Sequence, residues 1–417
     1  MNARKFMSMF LVVCMMLTLA SCIQDDAKTP VLTESPTEVS TTNTIETPAP
    51  TLTEGIKPSS TPQVSTPTPT SFPGKIGIIT NSIDQNELAY TVAESVVERY
   101  SNDKILHVIW PTGFTNETAI YRDTINYLCE KDVEVIIMNN TPDFLSKIFA
   151  ELKESEHNTF FICCNPIEVE GFSILEIAKQ SDIVLSVNWQ SISLSMVQQA
   201  RKMGAKTFIY YSYPIHINDP VFLQRRELIK QECVNLEVEF VDTTIPDPRM
   251  TGVSDVQQFI LKDVPKKVAQ YGKDTAFFST NCAMQIPLIE AVVDECAIYP
   301  SSCHPSLYHG FPYALGIEDN GEIITQITEV LAKKNMLGRV STWPVDPNMT
   351  FTEVAAEYAI KRLNGEVLQE GVDVEVLAQI MTDYAGVQVY LTPYTDLETG
   401  ITYDNYLMMR MDYITFE

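Results

Sequence analysis

Short apolar segments alternate with amphipathic segments along the chain from residue 74 onward. Segments such as KIGIIT (75–80) and VEVIIM (133–138) are apolar almost throughout, and each precedes a stretch whose apolar residues recur with the period of a helix. Strands that are apolar on both faces are typical of a parallel sheet covered by helices on both sides. The pattern predicts strands at 75–80, 105–110, 133–138, 159–164 and 183–189.

The same alternation begins again after Gly204, which follows a predicted helix and suits its C-terminal cap. Two runs of this kind predict two doubly wound parallel-sheet α/β lobes joined by a hinge. We assign 74–204 and about 318–366 to the N-terminal lobe, 205–317 to the C-terminal lobe, and 367–417 to an extension that packs on the lobes. The later strands are predicted at 207–213, 238–244, 275–280, 297–299, 313–317 and 338–343.

The first 73 residues follow a different pattern. Arg4 and Lys5 precede an apolar run at 10–20 that is too short for a bilayer span, which is typical of a signal peptide over 1–21. Residues 22–73 are rich in Thr, Pro and Ser and contain few large apolar side chains, so they predict a disordered linker.

The charge balance excludes one broad class of partner. The chain carries a formal net charge of −25, and loss of the leader would make it more negative. So acidic a protein is a poor partner for nucleic acid, whose phosphates need a basic surface. The disulfide state of the seven cysteines beyond Cys22 is left open, although Cys163 and Cys164, in an apolar strand, are interpreted as buried free thiols.

Polar and aromatic residues are concentrated just beyond the predicted strands. In open parallel sheets ligands bind at the carboxyl ends of the strands, so these residues are candidate ligand contacts. Asparagine offers a donor and an acceptor that suit hydroxyls and amides, and a tryptophan ring can stack on a sugar or base. The alternative is that the asparagines close turns and the tryptophans fill the core. The candidates are Asn81, Ser82, Trp110, Asn139, Asn140, Asn165, Asn188, Trp189, Tyr213, Asn281 and Trp343.

Five segments, taken in order, resemble the type 1 periplasmic binding proteins, the class that binds ribose and galactose. IITNSIDQNELAYTVAESV resembles their first strand, turn and helix, and VEVIIMNNTPD resembles the third strand, with Asn140 where proline is usual. MVQQARKMGAKTFIYY resembles the first crossing between lobes. FFSTNCAMQIPLIEAV resembles a strand with an Asn-Asp turn, with Cys282 in place of aspartate, and WPVDPNMTFTEVAAEYAIKRLNGE resembles the return to the first lobe. The chain also resembles a narrower group of lipoproteins of unknown function from clostridia-like bacteria.

This resemblance covers about 75–366 and implies a ligand held in the cleft between the lobes by aromatic rings and hydrogen bonds. It also implies a ligand-contacting arginine near Arg225 and Arg226, for which an exposed helix face is the alternative. Sugars, nucleosides and small amides all suit such a site, and no cofactor is expected. By position, the implied contacts are Asn81, Asn139, Asn165, Asn188, Asn281 and Asp346.

The sequence Leu19-Ala20-Ser21-Cys22 resembles the lipobox of bacterial lipoproteins. In that class the thiol of the cysteine is acylated, with palmitate among the usual chains, and the cysteine becomes the first residue of the mature protein. The resemblance implies a protein anchored through Cys22 to the extracytoplasmic face of the cell membrane.

The sequence offers little support for catalysis or for a metal site. It lacks the motifs Gly-x-Ser-x-Gly, His-Glu-x-x-His, the P-loop and Gly-x-Gly-x-x-Gly. Cys282 lies at a predicted turn, but no base lies near it in sequence. Cys303-His304 with His309 lacks a zinc-ligand spacing, and adjacent side chains of an extended chain point apart. We therefore expect neither an enzyme nor a metal-binding protein.

These features together predict a lipid-anchored solute-binding protein that closes on a small polar ligand and presents it to an ABC permease. The main alternative is a sensor that reports its ligand to a membrane kinase or chemoreceptor, and the sequence does not distinguish the two. An enzyme on a similar fold is a weaker alternative. A repressor of the related class is weaker still, because the leader directs the chain out of the cytoplasm.

Overall fold

The strands of the structure follow the predicted alternation. The computed structural model describes residues 71–111, 118–154, 159–168, 173–217, 219–318 and 321–417. The predicted signal peptide, Cys22 and nearly all of the predicted linker lie outside these residues. The strands are β1 (Ile76–Thr80), β2 (Ile105–Ile109), β3 (Val135–Asn139), β4 (Phe160–Cys164), β5 (Ile183–Val187), β6 (Thr207–Ser212), β7 (Glu239–Thr244), β8 (Thr275–Ser279), β9 (Ser341–Thr342), β10 (Val389–Thr395), β11 (Thr402–Met411) and β12 (Ile414–Thr415).

Helices connect most of these strands, and several begin where a side chain caps the first turn. Asn86, Asp219 and Asp346 each accept a hydrogen bond from a backbone N–H of the helix that follows. The helices are α1 (Glu87–Tyr100), α2 (Thr118–Cys129), α3 (Leu145–Glu154), α4 (Ile174–Gln180), α5 (Trp189–Lys202), α6 (Pro220–Asn235), α7 (Pro248–Thr251), α8 (Val253–Tyr271), α9 (Gln285–Asp294), α10 (Phe311–Leu315), α11 (Ile323–Lys333), α12 (Pro347–Leu363) and α13 (Val374–Ala385).

The first lobe is built on a seven-stranded sheet with the order β10-β11-β5-β4-β3-β1-β2. Its strands pair in parallel, except that β10 is antiparallel to β11 at the edge. Neighbouring side chains of β1, such as Ile78 and Ile79, enter different buried clusters. One cluster includes α1, α12 and α13, and the other includes α2, α3 and α4. Both faces of the sheet are therefore covered, and the predicted parallel α/β fold class is confirmed.

The second lobe has a three-stranded parallel sheet with the order β7-β6-β8. Backbone bridges from Ile298 to β8 and from Tyr299 to Val340 extend it by two short segments. Helices α5 and α6 cover one face through residues such as Met196 and Ile229. Helices α8, α9, α10 and α11 pack in the cluster on the other face.

The strand predicted at 313–317 is wrong, because this stretch lies in helix α10 and the turn after it. Gly310 and Gly316 flank the helix in left-handed backbone conformations, and Pro312 occupies its first turn. Proline in the first turn and glycine after the last turn are both typical of a short helix.

Three described segments connect the two lobes. Helix α5 contributes Ile192 to the first-lobe core and Met196 and Ala200 to the second-lobe core. The chain passes back between β9 and α12, and it crosses once more between β11 and β12. Strand β12 pairs antiparallel with β9 and so ties the last two crossings together.

The boundary between the lobes differs from the prediction over residues 318–340. Ile327 and Leu331 of α11 are buried in the second-lobe core, whereas Phe351 and Val354 of α12 are buried in the first-lobe core. The buried residues of α11 recur every four positions and form one stripe that covers the second lobe. The chain therefore returns to the first lobe near 341–347 and not near 318.

The C-terminal residues complete the first lobe. Helix α13 packs against α12 through Leu377 and Met381, which are buried in the first-lobe core. Strand β11 adds to the sheet beside β5, so this part of the extension is integral to the sheet. Among the described residues no helix has the length and apolar character needed to cross a membrane.

The position of α11 predicts how two leucines contribute to stability. Leu331 is fully buried, so Leu331→Ala should lower the free energy of unfolding by about 2–5 kcal/mol, measured by urea denaturation. The matched control is Leu337→Ala, since Leu337 is 41% exposed and its loss should cost no more than about 0.5 kcal/mol. Equal effects of the two substitutions would contradict the assignment of α11 to the second-lobe core.

Candidate functional site

The strand-end asparagines of the first lobe are hydrogen-bonded to one another or to helix α12. Asn140 donates to the side-chain oxygen of Asn81 at 2.6 Å, and Asn165 donates to that of Asn348 at 2.7 Å. Asn139 donates to the hydroxyl of Thr352 at 2.6 Å. Asn140 and Asn165 also adopt positive φ angles of 52° and 46°, which asparagine tolerates better than most residues. For these residues the structure supplies a structural reason for asparagine alongside any ligand contact.

Several other candidates cap helices or fill the core. Asn188 caps α5 by accepting from the N–H of Ser191 at 2.9 Å, and Asp346 caps α12. Trp110 is buried and donates its ring N–H to the carbonyl of Asn139 at 2.9 Å. Trp343 is fully buried in the first-lobe core.

Trp189 differs from the other two tryptophans because it meets the second lobe. It packs against the first-lobe core, and its ring lies 5.5 Å from the ring of His304 and 5.4 Å from the guanidinium carbon of Arg225. Both partners belong to the second lobe, since Arg225 lies on α6 and His304 in the loop after Tyr299. Trp189 therefore marks the junction of the lobes.

Arg225 contacts two aromatic rings at this junction. Its guanidinium carbon is 4.9 Å from the ring centre of Phe278, in addition to its contact with Trp189. The residue as a whole is partly exposed, but its Nε and Nη2 are enclosed and have no hydrogen-bond partner among the described residues. Burial lowers the pKa of this side chain. Its neighbour Arg226 is instead paired, with Nε donating to Asp242 at 2.7 Å.

Further polar atoms at the strand ends are buried without a described partner. They belong to both lobes and include two of the predicted candidates of the first lobe and one of the second. Buried polar groups are nearly always paired with protein or with ordered water, so each of these needs a partner that the described residues do not supply. The atoms are Ser82 Oγ and Asn139 Oδ1 in the first lobe, and Ser212 Oγ, Tyr213 OH and Ser279 Oγ in the second.

Asn281 forms the turn that follows β8. Its side-chain oxygen accepts a hydrogen bond from the N–H of Ala283 at 2.9 Å and caps a single 3-10 turn, Cys282–Met284, that leads into α9. This cap fixes the position of Cys282, which is partly exposed at the start of the turn.

Cys282 is one of four cysteine and histidine side chains that converge in the second lobe. Its sulfur lies 3.7 Å from the sulfur of Cys303 and 3.5 Å from Nδ1 of His304. The sulfur of Cys303 lies 3.4 Å from the same Nδ1 and 3.3 Å from Nε2 of His309. All four atoms fall within 4.8 Å of one another. We name these four residues the Cys/His cluster.

Two premises from the sequence are corrected by this geometry. We expected the side chains of Cys303 and His304 to point apart, but the backbone bends at these residues and both side chains face the cluster. The sequence also showed no base near Cys282 along the chain, but in space His304 lies beside it, 22 positions away in sequence. The sequence features that could have predicted this cluster are the spacing Cys-His-x-x-x-x-His at 303–309 and a cysteine in the turn after a strand.

The Cys/His cluster perturbs the ionisation of its own members. Burial opposes charge on Cys303, but a hydrogen bond from Cys282 and the charge of His309 outweigh it and hold the pKa of the thiol at about 5. Burial also disfavours charge on His309, but the negative charge of Cys303 raises its pKa well above the usual value. Both pKa shifts favour a thiolate on Cys303 paired with an imidazolium on His309 when no ion is bound.

The loop that carries Cys303 and the two histidines is held by helix α9. Gln285, the first residue of α9, accepts a hydrogen bond from the N–H of Cys303 at 2.9 Å. Gly310 follows His309 with φ of +91°, and an added Cβ there would lie 3.1 Å from Ile289 and 3.3 Å from Gln285. The close approach requires glycine, so the loop is fixed at both of its ends.

Comparison with known proteins places the chain in a family. Residues 74–341 match the sequence model of a family described as a protein of unknown function, DUF3798. Two proteins of Treponema pallidum (strain Nichols), both described as uncharacterized, are also similar. One is 28% identical over 166 residues, which cover 39% of this chain and 74% of that protein. The other is 23% identical over 145 residues, which cover 34% of this chain and 64%, or less than two thirds, of that protein.

Solved structures support the fold. A protein described as a candidate transcriptional regulator from Clostridium difficile 630 has a TM-score of 0.74 at 21% identity, covering 83% of this chain and all of that one. A sugar ABC transporter protein from Actinomyces odontolyticus ATCC 17982 has a TM-score of 0.47 at 11% identity, covering 70% and 84% of the two chains. The similarity to the Clostridium difficile protein shows the fold.

The hydrogen bond from Ala283 predicts that Asn281 acts as a cap. Asn281→Ala should lower the free energy of unfolding by about 0.5–2 kcal/mol in urea denaturation, because the N–H of Ala283 loses its acceptor. The control is Asn281→Asp, which keeps a side-chain oxygen in the same place and should retain most of the stability. If Asn281→Ala leaves the free energy of unfolding unchanged, the side chain does not stabilise the turn, and the prediction is contradicted.

Proposed function

This chain belongs to the DUF3798 family, and we propose that it is an extracytoplasmic solute-binding protein that captures a small polar ligand between its two lobes. The observation that carries the proposal is Arg225, whose enclosed Nε and Nη2 have no described partner at the junction of the lobes. The guanidinium contacts the ring of Trp189 in the first lobe and the ring of Phe278 in the second.

A buried cation without a partner is costly, so natural proteins rarely retain one that serves only stability. Stacking against aromatic rings recovers part of that cost by cation–π attraction, but it leaves the N–H groups of the guanidinium without acceptors. A ligand with acceptor oxygens would supply them, because the guanidinium presents its donors as a planar fork. Sugars, nucleosides and small amides, the classes expected from the sequence, all carry such oxygens.

The unpartnered hydroxyls at the strand ends support the same proposal. Ser82 belongs to the first lobe, and Tyr213 and Ser279 belong to the second. Buried polar atoms of both lobes therefore lack a hydrogen-bond partner among the described residues. In parallel α/β sheets the carboxyl ends of the strands are where ligands bind. A ligand that satisfies groups of both lobes would favour the closed arrangement over an open one, since it binds only where both sets are present.

We further propose that a lipid anchor at Cys22 holds the protein outside the cell and that it presents its ligand to an ABC importer. The leader and linker predicted from the sequence support this role. A sensor that signals to a membrane kinase is the rival proposal, and a transcriptional regulator, as the Clostridium difficile relative is described, is a third. Permease and ATPase genes next to the gene for this chain would favour uptake, and a histidine kinase gene would favour sensing. We propose binding without turnover.

The Arg225 proposal predicts a ligand-dependent change in thermal stability. In a thermal-shift screen of sugars, nucleosides, amino acids and small amides, at least one compound should raise the melting temperature of the chain. A ligand at 100 times its dissociation constant adds about 2.7 kcal/mol of stability. Arg225→Met should abolish this response and leave the melting temperature of the ligand-free protein equal or higher, because an unpaired buried cation is replaced by an apolar side chain.

The matched control is Arg226→Met, one position along the same helix. Arg226 is paired with Asp242 and partly exposed, so its replacement should leave the response to the ligand intact. The proposal fails if Arg225→Met responds to the ligand as the original chain does, or if no compound of these classes shifts the original chain.

A further inference from the structure

We propose that the Cys/His cluster, formed by Cys282, Cys303, His304 and His309, binds one zinc-class divalent metal ion. Two segments of the second lobe supply the ligands, namely the turn after β8 and the loop at 303–309. This inference goes beyond the proposed solute-binding function and departs from the sequence-based expectation, in which no metal site was predicted.

The separations between the ligand atoms fit a tetrahedral site. Zinc bonds of about 2.3 Å to sulfur and about 2.0–2.1 Å to nitrogen place two sulfurs about 3.8 Å apart and a sulfur and a nitrogen about 3.6 Å apart. The structure has 3.7 Å between the sulfurs of Cys282 and Cys303. Three of its sulfur–nitrogen separations are 3.5, 3.4 and 3.3 Å. These four separations match a tetrahedral zinc site to within a few tenths of an ångström. The two remaining pairs of ligand atoms lie within 4.8 Å, close enough for the side chains to move in around an ion.

The chemistry of the four side chains selects the class of metal. Two thiolates and two imidazoles are soft to intermediate ligands that suit Zn²⁺, whereas Mg²⁺ and Ca²⁺ require oxygen ligands. A complete set of four protein ligands is typical of zinc sites that hold structure together, because a catalytic zinc keeps a position open for water. The cluster is thus expected to stabilise the second lobe and not to perform hydrolysis.

The surroundings of the cluster supply both support and access. The N–H of Cys303 is fixed by Gln285, and the hydroxyl of Ser302 donates to the carbonyl of His304 at 2.7 Å, so the backbone of the loop is held in place before any ion binds. His304 is exposed and Cys282 is partly exposed, which gives an ion a path from solvent. Cys303 is buried and closes the inner side.

An ion at this cluster would also define one wall of the lobe junction. His304 contacts the ring of Trp189, which in turn lies beside Arg225. Coordination through Nδ1 would fix the orientation of the His304 imidazole and therefore the edge that faces Trp189. The four ligands of the ion all come from the protein, so binding of the ion does not require a solute, and the two proposals can fail separately.

The experiment is a spectroscopic titration of the reduced full chain with Co²⁺. The chain is purified in detergent, stripped of metal with a chelator under reducing conditions, and checked by alkylation and mass spectrometry for free thiols at Cys282 and Cys303. One Co²⁺ per chain should bind and give the thiolate-to-metal charge-transfer band and the intense visible bands of a tetrahedral site. Added Zn²⁺ should displace the Co²⁺ and remove these bands.

Two substitutions test the ligands, and one serves as the matched control. Cys282→Ser should weaken Co²⁺ binding by at least about 10–100-fold. Replacing a residue that only hydrogen-bonds a metal ligand already costs that much affinity, and Cys282 would be a ligand itself. His304→Ala should do the same, and because His304 is exposed the protein should keep its circular dichroism spectrum. Cys296→Ser removes another partly exposed free thiol, outside the cluster, and should leave the titration unchanged.

Three results would overturn the inference. They are the absence of a charge-transfer band from the reduced original chain, equal loss of binding in Cys296→Ser and Cys282→Ser, and alkylation of Cys282 at the same rate with and without excess Co²⁺. Arg225→Met should keep the Co²⁺ spectrum. A chain that binds Co²⁺ but no solute therefore contradicts the receptor proposal alone, and one that binds solute but no Co²⁺ contradicts the metal site alone.

Discussion

Burial of the central strands on both faces is the constraint on which the rest of the structure depends. Side chains of β1, β3 and β4 alternate between two closed clusters, so neither face of the first sheet offers room for polar chemistry. Polar groups buried in such a core would need partners that the core does not contain. Chemistry is therefore confined to the strand ends, to the loops beyond them and to helix residues that reach the lobe junction, such as Arg225 of α6.

The same constraint explains which parts of the fold could be predicted from sequence. Runs such as KIGIIT and VEVIIM are apolar because both faces are covered, and they identify β1 and β3 almost to the residue. The spacing of apolar residues in α11 predicted a helix equally well. Such an amphipathic pattern does not indicate which of the two sheets the helix covers. Ile327 and Leu331 face the second lobe because of tertiary packing, and that choice is absent from the local sequence.

The sequence predicted that the candidate asparagines lie at strand ends, but it did not predict their contacts. The structure places Asn139 at the end of β3 and Asn165 just after β4, at the edge of the sheet where ligands bind in parallel α/β folds. Their hydrogen bonds, however, go to Thr352 and Asn348, about two hundred positions later in the chain, and no local pattern records that pairing. Arg225 and Arg226 show the same limit, since adjacent positions on a helix point in different directions and only packing decides which one enters the junction.

The Cys/His cluster and Arg225 are linked by charge as well as by position. Without an ion, the thiolate of Cys303 is one of the groups whose negative charge favours the guanidinium of Arg225. A divalent cation bound by two thiolates and two neutral imidazoles would form a site of zero net charge, as the thiolate–imidazolium pair does, so the ion would redistribute the charge beside Arg225 without changing its sum. In neither state does the cluster as a whole neutralise the guanidinium of Arg225, and a ligand with acceptor oxygens at the junction would gain from this positive charge. In a chain of net charge −25, such a local arrangement allows an electron-rich ligand to be held despite the repulsion expected from the protein as a whole.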